Sequence, residues 1–496
     1  MSNPLAPAWL REPHDLAELD ASVWSRTARR SDEGEIVLGG VGVTELAQTY
    51  GTPLYVLDEA DVRSRAAQTV EAFRREFARV GTTVKVYYAA KAFLSAEVAR
   101  WVSEAGMAVD ICTAGEFAVA RAAGVEPARM GFHGNNKSDA ELDRTVAAGI
   151  GAVVIDSAEE VDRVADVAAR HGVVQAVRLR VNSGVHASTH EYLATAREDQ
   201  KFGVPLSETA AVVAAVRARP SLRFLGLHSH IGSQIFGSDG FAEAARRLLA
   251  VHAGLLADGE VPELNLGGGF GIAYTSADDA RSIDELAAAL ADIVRAECTD
   301  RGIPVPVVAV EPGRTIVGPG GTTLYTTGTI KDVTVAVDEV DVDAVATESD
   351  LAAAADEAVA LGRPAASAVR RYVSVDGGMS DNARTALYAA DYSVALAGRA
   401  SSAPPVLVRV AGKHCESGDV VVLADWLPAD VERGDLLAVP ATGAYCHSLS
   451  SNYNHVGRPP VVAVLDGTSR VIVRGESEAD LLSRDAGLDQ PARASS

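Results

Sequence analysis

The chain has 496 residues, 48% of them hydrophobic, and carries a net charge of −22. That acidity argues against nucleic acid and anionic membrane as partners, because both are bound through clustered Lys and Arg. No apolar run approaches the roughly 20 residues of a membrane-spanning helix, and the opening MSNPLAPAWLREPHD has no signal-peptide character.

The expectation is therefore a cytoplasmic protein with no membrane partner. Cys112, Cys298, Cys415 and Cys446 show no paired spacing and read as free thiols in a reducing compartment. The length allows one very large domain or two to three ordinary ones.

Along the chain, residues 1–30 look weakly ordered. GEIVLGGVGV and TPLYVLD, within 31–56 and just beyond, supply strands expected to join a later β domain. Eight short β-type runs then alternate with Ala/Arg/Glu-rich segments of helical period. They are VKVYYAA (84–90), AVDICTA (108–114), MGFHG (130–134), AVVIDS (152–157), AVRLRVN (176–182), FLGLHSH (224–230), ELNLGGG (263–269) and VVAVEPG (307–313). Strands buried on both faces with helical crossovers mean a parallel sheet. Eight units favour a (β/α)8 barrel over residues 57–325, with an open doubly wound sheet as the alternative.

After residue 320 the texture turns to short strands with Gly, Pro and Asp turns, from TTLYTTGTIKDVTVAV to PPVVAVLDG. Residues 326–475 are read as a separate C-terminal β domain, interrupted by an acidic, Ala-rich inserted loop at 338–367. Residues 476–496 form a weakly ordered tail. The fold class is thus α/β plus β.

The eight barrel runs end at Lys91, Thr113, Asn135, Ser157, Asn182, His230, Gly268 and Glu311. In a barrel those ends share the face where catalytic groups gather. Each is also, taken alone, an ordinary loop residue. Lys91 stands out because the chain has so few lysines. A lysine at a barrel mouth is either an ion-pair partner or a desolvated amine fit to form an imine.

NLGGGFG (265–271) packs Gly267, Gly268, Gly269 and Gly271 into one turn, which suits close approach of backbone N–H groups to a phosphate and equally suits a tight βα turn. HIGSQ adds Ser233, and EPGRT adds Gly313 and Arg314. Glu311 is either an ion-pair partner or the group that holds a pyridinium proton. His228 and His230 form an HxH pair that could ligate a metal, a rival reading as a barrel metallohydrolase. No carboxylate and further histidines at the other strand ends complete such a site. In the β domain, Cys415 beside Glu416, Tyr445, Arg384 and Tyr388 identify no reaction alone.

Together and in order, VYYAAKA, HGNNKS (133–138), HEYLATAREDQKFG (190–203), GLHSHIGSQI, LGGGFGI, EPGRT, VDGGMSDN, CESGD and SNYN resemble the diaminopimelate decarboxylases. That family lies within the alanine-racemase-like (fold III) group of pyridoxal-phosphate enzymes. The resemblance spans about 35–475. It implies a barrel carrying pyridoxal 5'-phosphate, a β domain, and a homodimer with shared active sites acting on a small amino acid.

By motif match it implies Lys91 as the Schiff-base lysine, Glu311 at the pyridine nitrogen and His230 stacked on the ring. Ser233, Gly268, Gly269 and the backbone at Gly313 and Arg314 would cradle the phosphate, with Tyr445 nearby. Cys415 would donate the proton, from the partner subunit. Arg314, Arg384, Tyr388, Glu416 and Tyr445 would hold the substrate. Arginines suit a distal carboxylate, and Glu416 suits the distal ammonium.

The sequence departs from the family at Ala114, at Ser188, in NART after Arg384, and in the length of the insertion. The alternatives are a sister decarboxylase of ornithine, arginine or a carboxylated polyamine, a racemase, and a non-catalytic cofactor-binding regulator. The racemase fits less well with the chain's length and with Cys415. The regulator is expected to lack Lys91 or Cys415, and both are present.

Overall fold

A computed structural model describes residues 3–185, 201–337 and 366–488. Ser188, most of HEYLATAREDQKFG and nearly all of the acidic insertion lie outside the described residues. The chain divides into two compact units. One comprises residues 62–272 and 279–318; the other comprises 1–61, 273–278 and 319–496.

The first unit is built on eight parallel strands: β1 (Val84–Ala89), β2 (Ala108–Ile111), β3 (Met130–Phe132), β4 (Ala152–Ile155), β5 (Gln175–Asn182), β6 (Leu222–His228), β7 (Glu263–Asn265) and β8 (Val307–Val310). Each pairs in parallel with the next, and Val308 of β8 stands opposite Val84 of β1, so the sheet closes into a barrel. The open-sheet alternative is thereby excluded. The strands are buried almost throughout because helices cover the outside while side chains fill the inside. Within the strands, Arg178 is 1% exposed; it donates to Glu263 Oε2 from Nε (2.9 Å) and Nη2 (2.7 Å), and Lys85 pairs with the same carboxylate.

Helix starts explain two of the polar strand ends. Thr113 and Ser157 are N-caps whose hydroxyls accept the N–H groups of Glu116 and Glu160. They satisfy otherwise orphaned helix N–H groups. Ser95, Ser138 and Ser282 cap other barrel helices in the same way. Ala114 is the first residue of the helix after Thr113, and its N–H donates to Glu141 Oε1 at 2.9 Å. Lys137 is buried with all three ammonium protons used, on Gly134 O (2.7 Å), Val154 O (2.7 Å) and Glu160 Oε1 (2.8 Å).

The second unit is a mostly antiparallel sheet. Its order is 420–428, 405–411, 366–375, 321–337, 54–58, 461–465 and 468–473, with 436–440 also pairing 321–326. The early strand Leu54–Asp58 is inserted between Gly321–Leu324 and Val461–Val464, so the β domain takes an N-terminal strand. GEIVLGGVGV instead forms a small three-stranded sheet of its own with Arg29–Arg30. That sheet is tied down by the N–H of Ile36 on Ala397 O at 2.8 Å. The N-terminal segment, expected to be weakly ordered, seats Leu5 against Leu407, Ala424 and Trp426, and buries Val23 and Trp24.

Candidate active site

The C-terminal ends of the barrel strands gather Lys91, His230, Ser233, Gly268, Gly269, Glu311, Gly313 and Arg314 in one unit. Lys91 lies in a single 3-10 turn directly after β1, with its side chain exposed while Ala90 and Ala92 are buried.

Glu311, one residue past β8, is 7% exposed and surrounded by nitrogen. Asn265 Nδ2 donates to its Oε1 at 2.6 Å, His228 Nε2 stands 3.3 Å from Oε2, and His133 Nε2 stands 3.4 Å from Oε1. His133 also lies 3.1 Å from Asp110 Oδ1 on β2. Burial pushes the Glu311 carboxyl up, but the His133 and His228 rings outweigh it and hold the group well below the usual carboxylate range. Asp110 goes the other way: burial, then the charge of Glu311, raises it well above its ordinary value. Of the two buried carboxyls, one thus keeps its proton and Glu311 is the anion.

The two histidines of the HxH pair take different partners. His228 faces Glu311, while His230 Nδ1 accepts the N–H of Gly268 at 3.3 Å. That bond leaves the His230 proton on Nε2. Burial, then the Lys91 ammonium, lowers His230 to about 3, so the ring is neutral near pH 7. His133, His228 and Glu311 do place one ligand atom each within 4.8 Å of one another. In the described geometry these atoms face each other, and each histidine offers Nε2 to a carboxylate.

The glycine turns are required by close backbone approach. A Cβ on Gly268 would lie 2.0 Å from Glu311 O, and one on Gly269 would lie 2.3 Å from Gly232 O. The two turns are laced together. The N–H of Ile235 donates to Gly269 O at 2.9 Å, and that of Gly271 to Ile235 O at 3.0 Å. The Gln234 amide clasps both the carbonyl (2.6 Å) and the N–H (3.2 Å) of Ile272. Arg314 Nη2 donates to Ser233 Oγ at 2.8 Å, joining the third turn to the first.

A phosphorylated pyridine fits this donor set. An ionised carboxylate matches a protonated ring nitrogen, a neutral imidazole offers a flat face, and glycine turns with a hydroxyl and a guanidinium match a phosphate.

The remaining sequence-derived residues belong to the sheet unit. Arg384 is 6% exposed, lies 4.6 Å over the Tyr274 ring, and donates to Tyr392 OH at 2.7 Å. Tyr388, at the end of the same short helix, is 66% exposed. Tyr445 holds a left-handed φ of 67°. Cys415 and Glu416 are exposed on the turn between two strands, and the Glu416 carboxylate accepts the Gly418 N–H at 3.4 Å.

Sequence reasoning gave no role to Asn265, His133 and Asp110. Asn265 opens the glycine turn NLGGGFG and His133 opens HGNNKS, so both stand inside motifs visible in the sequence.

Comparison with known proteins agrees with this chemistry. Residues 61–318 match the family described as pyridoxal-dependent decarboxylase, pyridoxal binding domain, and residues 340–443 match the corresponding C-terminal sheet domain. The diaminopimelate decarboxylase of Mycobacterium tuberculosis is 48% identical, with 95% of this chain and 99% of that protein covered. That of Bacillus subtilis is 38% identical, covering 92% and 97%. The crystal structure of diaminopimelate decarboxylase from M. jannaschii in complex with L-lysine superposes with a TM-score of 0.80 at 28% identity, covering 93% of this chain and 98% of that one.

Proposed function

Because the chain belongs to the pyridoxal-dependent decarboxylase family, we propose that it converts meso-2,6-diaminopimelate to L-lysine and carbon dioxide, the last step of lysine biosynthesis. Similarity to diaminopimelate decarboxylases over nearly the whole chain supports the substrate. The observation that carries the chemistry is the placement of Lys91, a buried Glu311 ringed by Asn265, His228 and His133, and laced glycine turns at one end of one barrel.

Pyridoxal phosphate, when bound, supplies the electron sink for the pair left by departing carbon dioxide. Lys91 is its attachment point. Glu311 keeps a proton on the ring nitrogen, and Asn265 and His228 hold Glu311 in position. His230 presents a neutral ring face. Ser233, Gly268, Gly269, Gly313 and Arg314 bind phosphate, with Tyr445.

Arg314 and Arg384 take the distal carboxylate, Glu416 takes the distal ammonium, and Tyr388 and Tyr445 close the grip. The packing of Arg384 against Tyr274 and Tyr392 fixes its guanidinium before substrate arrives. Cys415 donates the proton that replaces carbon dioxide, from the partner subunit of a homodimer in the cytoplasm. No helix among the described residues is long and apolar enough to cross a membrane.

The test is borohydride reduction of the holoenzyme followed by peptide mass spectrometry, paired with turnover of meso-diaminopimelate. A pyridoxyl group on the Lys91 peptide, with loss of both label and turnover in Lys91→Ala, supports the reading. Wild-type-like turnover in Lys91→Ala overturns it.

A further inference from the structure

The sheet unit knits three loops together at Cys415. Asn454 Oδ1 accepts the N–H of Cys415 at 3.3 Å and stands 3.2 Å from His414 Nδ1. On the other side of the ring, His414 Nε2 lies 2.8 Å from Ser380 Oγ. Since Asn454 Oδ1 is an acceptor, Nδ1 carries the ring proton and Nε2 accepts from the Ser380 hydroxyl. The His414 ring also packs on Tyr453, with centroids 5.3 Å apart.

Asp419 closes the base of the loop. Its Oδ2 accepts the His414 N–H at 2.7 Å and its Oδ1 accepts the Met379 N–H at 2.6 Å. A Cβ on Gly378 or Gly412 would fall 2.5 or 2.2 Å from those carboxylate oxygens, so both glycines are needed for Asp419 to be there. The sequences DGGMSDN, KHCESGD and SNYN, far apart in the chain, are one local structure.

Asn454 holds a left-handed backbone, φ 49° and ψ 26°. Asn and Asp tolerate that region better than other residues with a Cβ, and Gly adopts it freely. Its amide oxygen is thereby aimed at the two groups next to the thiol. Cys415 itself is exposed on a turn.

We propose that Asn454 is a positioning residue for the proton donor: through the Cys415 N–H and the His414–Ser380 relay it fixes the direction of the Cys415 thiol. The proposal rests on the reading of Cys415 as the donor. A thiol that must protonate one carbon on one side works only if its direction is set before the carbon dioxide leaves.

The experiment uses full-length holoenzyme with four variants. Asn454→Gly keeps the left-handed backbone and removes the acceptor. Asn454→Asp keeps both. His414→Phe keeps an aromatic ring against Tyr453 and removes both ring nitrogens, so it carries the same decision if Asn454→Gly does not fold. Cys415→Ala tests the underlying reading. The readouts are kcat and KM for meso-diaminopimelate and the rate of Cys415 alkylation by iodoacetamide.

Asn454→Gly is expected to lose about tenfold in kcat, the effect of one hydrogen bond. KM stays near wild type, and the alkylation rate departs clearly from wild type. Asn454→Asp is expected to recover kcat to within about threefold.

Wild-type kcat and alkylation in Asn454→Gly overturn the proposal, as does Asn454→Asp behaving like Asn454→Gly. If Cys415→Ala keeps wild-type kcat, the donor assignment itself fails and the proposal falls with it. If Cys415→Ala loses turnover while Asn454→Gly keeps it, only the positioning role fails.

Discussion

Asn265 donates from Nδ2 to Glu311 Oε1 at 2.6 Å while its own Oδ1 accepts the N–H of Gly267 at 2.8 Å. One amide thus ties the carboxylate proposed to meet the ring nitrogen to the glycine turn proposed to meet the phosphate. The two ends of the proposed cofactor site share a single fixed reference, set by β7.

Replacing Asn265 removes a charge-assisted hydrogen bond in a buried place. Such a bond contributes about 1.5–3 kcal/mol. Asn265→Ala is therefore expected to lower kcat by about 10- to 100-fold at saturating cofactor. Asn265→Asp sets a second carboxylate against Glu311 and is expected to do worse, despite its similar shape. Steady-state kinetics with meso-diaminopimelate check both; an Asp variant more active than the Ala variant contradicts the electrostatic argument.

Lys137 is a structural lysine. Its three donors are all engaged, and Glu160 Oε2 in turn accepts the Asp156 N–H at 2.8 Å. Lys137→Met leaves a buried carboxylate uncompensated, a loss of about 3–5 kcal/mol. Urea denaturation is expected to show a lower midpoint for this variant. Lys137→Met with Glu160→Gln is expected to recover part of the loss, because no lone charge is left behind.

Asp381, fully buried in the sheet unit, accepts hydrogen bonds from Tyr325 OH and from the Gly378 N–H. Burial pushes its carboxyl up to about 7 from an ordinary 3.8. The folded state then holds a proton that the unfolded state has released. The stability contributed by this group is full below the unfolded value and is lost as pH rises towards 7. The window is worth on the order of 4 kcal/mol. In Asp381→Asn the corresponding fall between pH 4 and 7 is expected to vanish. Parallel curves of unfolding free energy against pH for the two proteins contradict this.

Much of the architecture was legible in the sequence because burial on both faces leaves a clear mark. All eight apolar runs are barrel strands, and the turn-rich tail is a sheet. Leu54–Asp58 joins that sheet as expected, whereas GEIVLGGVGV does not. Three-residue strands carry too little pattern to say which partner they choose.

Thr113 and Ser157 stand at strand ends, as candidate site residues do, yet they cap helices; a hydroxyl serves either purpose and only geometry separates them. The ring of groups around Glu311 was not legible. Asp110, His133 and Asn265 come from three different strands or strand ends, and only closure of the barrel brings them together. Asn454 ends the SNYN motif, but the Cys415 it holds lies 39 residues away, and only the folded sheet unit brings the two together.

The most direct test of the proposed activity is release of carbon dioxide and L-lysine by purified protein with pyridoxal phosphate, from meso-diaminopimelate beside ornithine and arginine. Release from meso-diaminopimelate alone is expected, with L-lysine formed in equal amount. Release only from ornithine or arginine contradicts the assigned grip of Arg314, Arg384 and Glu416, and no release from any of the three contradicts the assignment as a decarboxylase.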